Sequence, residues 1–223
     1  MNNYQKGFNY DMQIVDLLSN HSYLTSKHVA DMVYGKKSQS LRLSRRKLQS
    51  LYERKYINRY YLAKELGYVY YVHEGKPSFK VHHWLSINEV YVATENHKNS
   101  WQSIETFELE PCLKWNSGQI QPDAFVVLKV TLDKRRTLFL ETDLGTVALS
   151  KFDKIQKYTE LYRTDVWLDT KYAVQGELFP IIYIVTTTDK RAKAISNKIE
   201  SENVEGLTFV VKTIANIKEK GLW

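Results

Sequence analysis

The stretch from Pro122 to Thr146, PDAFVVLKVTLDKRRTLFLETDLGT, decides how the second part of this chain folds. Pro122-Asp123 opens an apolar run, Ala124 to Leu132, whose length and β-branched content predict a buried strand. Asp133-Lys134-Arg135-Arg136 is a charged turn, and Thr137 to Asp143 is the returning strand, closed by Gly145. Residues two apart on a strand share a face, so Glu141 and Asp143 are expected to project together. Pairing across the turn brings Asp123 to the same end of the sheet. Three carboxylates converging there repel one another unless a cation lies between them, and hard divalent ions such as Mg²⁺ favour oxygen ligands. Each residue also has a plainer reading: Asp123 as a cap at a strand start, Glu141 and Asp143 as surface residues paired with Lys151 or Arg135.

Downstream, Ala148 to Tyr162 reads as a helix with Phe152, Ile155, Tyr158 and Leu161 on its inner face. Phe179 to Thr186 reads as a buried strand, Lys190 to Glu202 as a helix, and Leu207 to Lys212 as a last strand. Upstream, His82 to Asn96 is a helix carrying Leu85, Val90 and Val92, followed by strand-and-loop text through residue 121. The order α-β-β-β-α-β-α-β predicts an α/β (α+β) core on a mixed sheet.

The first third reads differently. Met12, Ile14, Val15, Leu17 and Leu18 form a helical stripe, broken at Asn20 and Ser22. Thr25 is a candidate N-cap for a short helix through Val29, Met32 and Val33, ended by Gly35. A longer helix is expected from about Gln39 to Lys55, with Leu41, Leu48, Leu51 and Tyr52 inside and Arg42, Arg45, Arg46 and Gln49 on another face. Tyr56 to Tyr61 and Tyr68 to Val72 then read as a hairpin. Helix, helix, longer basic helix and hairpin is the order of a winged helix-turn-helix. A helix fits the major groove and must present donors to phosphates and base edges. Arg42, Arg45, Arg46 and Gln49 are the candidates for that face, with Lys36, Lys37 and Arg59 as phosphate contacts beside it. The five hairpin tyrosines, Tyr60, Tyr61, Tyr68, Tyr70 and Tyr71, have two readings, stacking on nucleotides or packing of alternate members on the helices, and the second is the expected one.

Charge follows the same division. The chain has 223 residues and a net charge of +7. Residues 1–75 hold 12 Lys+Arg against 6 Asp+Glu, and residues 76–223 hold 20 against 19, so a polyanion partner is expected for the N-terminal part. The cluster Glu74-Gly75-Lys76-Pro77-Ser78 places the expected boundary between a winged-helix domain at 1–75 and an α/β domain at 76–223. No run approaches the roughly 18 apolar residues of a membrane span. Met1 to Tyr10 lacks a signal peptide's apolar core, and a cytoplasmic location is expected. The single Cys112 excludes an intramolecular disulfide framework, and the six histidines show no metal spacing. No heptad pattern drives dimerisation, which leaves a homodimer to a surface patch.

Pro122-Asp123 followed by Glu141-Thr142-Asp143 resembles the PD-(D/E)XK nuclease signature. In that superfamily the Asp and Glu hold Mg²⁺, which activates water for attack on a phosphodiester. The resemblance implies Asp123 and Glu141 as catalytic metal ligands and Asp143 as a further ligand. Asp143 replaces the expected Lys, whose place falls to Lys154 of the next helix, in Lys154-Ile-Gln-Lys-Tyr158. Glu89 on the preceding helix matches an extra acidic ligand by helix order alone. The whole arrangement is similar to the replication-relaxation family of plasmids and mobile elements, on Glu141-Thr-Asp-Leu-Gly-Thr146 and the Lys-x-x-x-Tyr that follows. That similarity implies replication or transfer DNA processing of the relaxosome type, or its control. The implied partners are double-stranded DNA, replication or relaxase proteins and a second copy of the chain. Three readings stand: a DNA-binding protein with a degenerate nuclease-like domain, an active Mg²⁺-dependent endonuclease, or a winged-helix transcriptional regulator. Asp143 favours the first, because a third carboxylate adds negative charge where a phosphodiester must approach.

Overall fold

The computed structural model describes residues 3–35, 37–173 and 178–223, with side chains from residue 9 onward. Lys36, expected to touch phosphate, therefore lies outside the described residues. The chain divides into two compact units, Met1–Val92 and Ala93–Trp223.

The first unit runs α1 (Asn3–His21), β1 (Leu24–Thr25), α2 (Ser26–Val29) with a π-helical turn over Ala30–Tyr34, and α3 (Ser40–Glu53). The hairpin β2 (Asn58–Ala63) and β3 (Gly67–Tyr71) follows, and then the start of α4 (Val81–His97). Thr25 caps α2 as its sequence position predicts. Its hydroxyl accepts from the His28 amide at 3.2 Å, and His28 Nδ1 accepts in turn from the Thr25 amide. The hairpin gains a third strand that the sequence does not announce, because β1 pairs with β3 through Leu24 opposite Tyr70. Ile14, Leu18, Leu24, Val29, Leu48, Leu51, Ile57 and Tyr70 form the core.

The packing seam of α3 differs from the expected one. Leu41 and Tyr52 are each 37% exposed, and the buried residues are Ser40, Ser44, Leu48 and Leu51. The spacing of four, four and three is helical, but half the seam is serine. Ser44 has no exposed surface and donates to the Ser26 carbonyl at 2.7 Å, so a small side chain lets α3 approach α2 closely. Asp11 on α1 holds the flank of this seam through Lys47 of α3 and through Arg54 just after it, each at 2.6 Å.

The first unit extends past the Gly/Pro/Ser turn because α4 bonds back into it. Asn88 is fully buried, and its amide nitrogen donates to the carbonyls of His21 (2.9 Å) and Tyr23 (2.8 Å). Asn88 Oδ1 accepts from His21 Nδ1 at 2.9 Å, which places a proton on that ring nitrogen. One residue on, Glu89 accepts from His28 Nε2 at 3.0 Å.

The second unit contains β4 (Ser103–Leu109), β5 (Leu113–Trp115), β6 (Gly118–Ile120), β7 (Ala124–Lys129), β8 (Arg135–Asp143), α5 (Lys154–Arg163), β9 (Ile181–Thr186), α6 (Asp189–Glu202), β10 (Phe209–Thr213) and α7 (Ile214–Lys220). Five strands form a mixed sheet in the order β10-β9-β8-β7-β4, parallel across β10, β9 and β8 and antiparallel across β8, β7 and β4. The fold is mixed α/β with a helical N-terminal region, as the pattern of the sequence implies. The helix expected from Ala148 starts at Lys154, after a 3₁₀ turn at Leu149–Lys151. Helix α7, capped by Thr213, escapes the sequence reading. Phe125, Phe139, Tyr158, Trp167 and Tyr172 build the core on one sheet face, with Tyr158 stacked on Phe139 at 5.7 Å between centroids. Cys112 is exposed. Among the described residues no helix is long and apolar enough to cross a membrane.

Burial holds the pKa of His21 below its ordinary 6.5, and the nearby His28 adds to the effect against the pull of the Asn88 bond. The unfolded chain takes up this proton near pH 6.5 and the folded chain only at lower pH. Stability from His21 is therefore complete above 6.5 and falls as the pH drops through the window below it. Thermal melts from about pH 7.5 to about pH 5.5 should show the midpoint falling on acidification, with a flatter profile for His21→Gln. Equal slopes for the two proteins would place the acid sensitivity elsewhere.

Candidate functional site

Pairing of β7 with β8 carries Asp123 to the position opposite Glu141, one step past the Ala124–Leu140 pair. The Asp123 amide donates to the Leu140 carbonyl at 3.0 Å, which continues the ladder to that point. Its carboxylate turns onto Thr142, where Oδ2 accepts from the Thr142 amide and from the Thr142 hydroxyl at 2.8 Å. Glu141 is not a surface residue at a strand end. It lies in the middle of the sheet, beside β9, at 4% exposure.

Helix α5 brings two groups to Glu141 from positions one turn apart. Lys154 Nζ lies 2.9 Å from Oε2, and the Tyr158 hydroxyl donates to Oε1 at 2.8 Å. Lys154 also donates to the Gln121 carbonyl at 3.3 Å, so it bridges the end of β7 to β8. Burial pushes the Glu141 carboxyl up to about 7 and the negative Asp123 adds to this, while the Lys154 ammonium pulls the other way. The two carboxylates in turn hold the Lys154 ammonium above its ordinary value, against burial. Tyr158 is raised well above the phenol range, so its hydroxyl is a proton donor at Glu141. Asp123, Glu141, Lys154 and Tyr158 thus form one cluster. Lys151 takes no part, and Arg135 pairs with Glu105.

Asp143 is drawn away from this cluster. Arg191 Nε lies 2.6 Å from its Oδ2 and Nη2 lies 3.3 Å from Oδ1. The Gly145 amide at 3.1 Å and the Thr186 hydroxyl at 3.4 Å complete its shell. The cause is the parallel register of β8 and β9, which sets Asp143 beside Thr186, from which the chain leads into the first turn of α6. Glu89 pairs with His28 in the first unit instead of joining the acidic set.

These contacts bear on the fit for a divalent ion. Both Glu141 oxygens face donors, all four donor contacts on Asp143 are protein hydrogens, and Asp123 Oδ2 takes two bonds from Thr142. Each Glu141 oxygen has one donor, Lys154 on Oε2 and Tyr158 on Oε1. Among the described residues no group of three or more His, Cys, Asp or Glu side chains is arranged to hold a metal ion. The cation beside Glu141 in this structure is the Lys154 ammonium.

The basic candidates lie on the first unit. Arg42, Arg45 and Arg46 are exposed on the side of α3 away from the serine–leucine seam, and Lys37 is exposed just before the helix. Arg42 donates to Gln39 at 3.1 Å. Gln49 and Arg59 are committed to each other: Arg59 Nη1 donates to Gln49 Oε1, while Gln49 Nε2 donates to Glu53 at 2.7 Å. The Arg59 guanidinium also lies between two rings, 4.1 Å from the Tyr52 centroid and 4.4 Å from that of Tyr68. The sequence reading missed this arrangement, as it missed Arg191 and Thr142. A Tyr at position 52 one turn after Gln49 was its available signal.

Residues 72–175 match the model of the replication-relaxation family. That span includes Asp123, Glu141, Asp143, Lys154 and Tyr158, and begins after α1, α2, α3 and the hairpin of the first unit, before α4. Comparison with curated proteins finds no match, and comparison with solved structures finds none.

Removing one member of a buried pair leaves the other either charged without compensation or forced to take up a proton. Lys154→Met should therefore destabilise the protein by roughly 2–4 kcal/mol in urea unfolding, the partly open rim of the site keeping the cost below that of a fully buried pair. Adding Glu141→Gln to that variant removes the stranded carboxylate and should recover most of the loss. A Lys154→Met protein as stable as the parent would show that the pair contributes nothing.

Proposed function

We propose that this chain is a DNA-binding protein of a plasmid or other mobile element. In this reading it acts in replication or transfer DNA processing or in its control, and its second unit is a degenerate nuclease-like domain. The observation that carries the reading is the outward face of α3. One side of that helix is bonded into the core through Ser44, Leu48 and Leu51, and the other presents Arg42, Arg45 and Arg46. Residues 1–92 hold 14 Lys+Arg against 7 Asp+Glu, so this unit carries the whole net charge, and residues 93–223 balance at 18 each. The order of helices with a following hairpin supports a winged helix-turn-helix, with α3 entering the major groove of duplex DNA. The replication-relaxation match supports the setting: replication or relaxation of plasmid or mobile-element DNA.

The degenerate reading of the second unit is supported by its charge arrangement. The position where the PD-(D/E)XK pattern has Lys holds Asp143, neutralised by Arg191. The Lys154 ammonium is bound to Glu141 instead of standing open to a phosphate. Such a site holds its charges against each other and leaves little to stabilise the developing charge of phosphodiester cleavage.

Titration of duplex DNA at several salt concentrations tests both halves. Arg45→Ala/Arg46→Ala should weaken binding about 10-fold or more and flatten the slope of log affinity against log salt by about 2, as two phosphate contacts are lost. An unchanged slope would remove α3 from the interface. The same mixtures with Mg²⁺ or Mn²⁺ should show shifted but intact DNA. Strand cleavage that Glu141→Ala abolishes would make this an active endonuclease.

A further inference from the structure

The hairpin divides its tyrosines unevenly. Tyr70 and Tyr71 are each 5% exposed and pack inward, whereas Tyr60, Tyr61 and Tyr68 stand 47%, 54% and 41% exposed. Tyr61 lies opposite Tyr68 across the strands, and Arg59 opposite Tyr70, so these four side chains share one face. On that face the groups are in contact. Arg59 is sandwiched between Tyr52 of α3 and Tyr68, and Tyr61 meets Tyr68 edge to face at 5.5 Å. The result is a ladder, Tyr52–Arg59–Tyr68–Tyr61, from the end of α3 out along the hairpin.

Its inner end continues the basic stripe of the helix. Arg42, Arg45, Gln49 and Tyr52 follow one another at spacings of three, four and three, so they occupy one side of α3. Gln49 bonds Arg59 directly. A nucleic acid lying along the arginines therefore meets the ladder next. The ladder is held in place before any ligand arrives, by the bond to Gln49 and by two cation–π contacts, which lowers the ordering cost of binding. Exposed π-faces interleaved with a cation, on a unit that carries the chain's whole positive charge, suit a polyanion that itself has π-faces.

We propose that the Tyr52–Arg59–Tyr68–Tyr61 ladder is a stacking site for unpaired bases, so that the first unit binds the junction between duplex DNA and a single strand. The proposal rests on the reading of α3 as the duplex-binding helix and adds the class of DNA that it meets. In it Arg59 positions the rings and does not contact phosphate. Tyr61, the most exposed of the four, is the ring that takes the first unpaired base.

The test compares a blunt duplex with the same duplex carrying a short oligothymidine tail, using the full chain. The parent should bind the tailed duplex about 10-fold more tightly, the scale of one or two stacked bases. Tyr61→Ala/Tyr68→Ala should lose that preference and keep its blunt-duplex affinity, while Tyr61→Phe/Tyr68→Phe should keep both. With 2-aminopurine as the first unpaired base, binding to the parent should quench its emission and binding to the alanine variant should not. Equal affinity of the parent for the two DNAs overturns the proposal, as does a tail preference that survives in the alanine variant. Loss of blunt-duplex binding in a folded alanine variant also overturns it, by assigning the ladder to the duplex interface. Failure of the underlying reading gives a separate result: Arg45→Ala/Arg46→Ala would then bind blunt duplex as the parent does.

Discussion

A carboxylate in the centre of a β-sheet has to be answered by the structure around it, and Glu141 is such a group. At 4% exposure, its ionised form has lost its hydration, and only a cation or strong donors at short range can offset that cost. Both come from α5, one turn apart, and their reach fixes the rotation of that helix over β8. Tyr158 can place its hydroxyl on Glu141 only by laying its ring on Phe139, which in turn meets Phe125 and Tyr172. The aromatic core of the second unit is thus arranged around a polar contact. An apolar residue of similar volume would give comparable stability at position 141, since a buried ion pair seldom gains on a hydrophobic one. Stability alone does not account for Glu141. What the pair adds is register: α5 has one rotation and one height at which both donors reach the two oxygens.

The first unit depends on a constraint of another kind. Its long helix buries Ser40 and Ser44, residues that a search for apolar periodicity passes over, and approaches α2 through Ser44. Leu41 is apolar and yet lies outside the seam, because a helix seam is chosen by spacing and by the room available. Ser44 satisfies its hydroxyl on the Ser26 carbonyl and so costs little to bury. Once the serine side faces inward, the arginines at 42, 45 and 46 have only the outward side left to them.

These two cases show which parts of the structure can be read from the sequence. The β7–β8 hairpin, the Thr25 cap and the meeting of Asp123 with Glu141 were legible, because each follows from local period or from one turn joining two strands, whereas Lys154 was legible only through the resemblance of the helix that carries it. The neutralisation of Asp143 was not. It depends on the parallel pairing of β8 with β9, which brings in Arg191 from 48 positions away. The membership of α4 was equally hidden, since Asn88 reveals its role only through carbonyls 65 and 67 residues earlier. The sequence marked Gly75 to Ser78 as a boundary on turn chemistry, and turn chemistry marks a bend whether or not a unit ends there.

The same distinction governs the basic residues. In the second unit eight of the 18 lysines and arginines pair with carboxylates of the described residues, among them Lys154 on Glu141, Arg191 on Asp143, Arg135 on Glu105, Arg163 on Glu205 and Lys171 on Glu108. A count of lysines and arginines there overstates what the surface offers a polyanion. In the first unit the count needs sorting in the same way. Lys47 and Arg54 are tied to Asp11, and Arg59 is enclosed by two rings and a glutamine. What remains outward on α3 is the arginine stripe, and beyond it Arg59 serves to hold tyrosines in line. Charge on this unit thus has two uses, attraction along the helix and rigidity along the hairpin, and the second converts three exposed rings into one continuous surface.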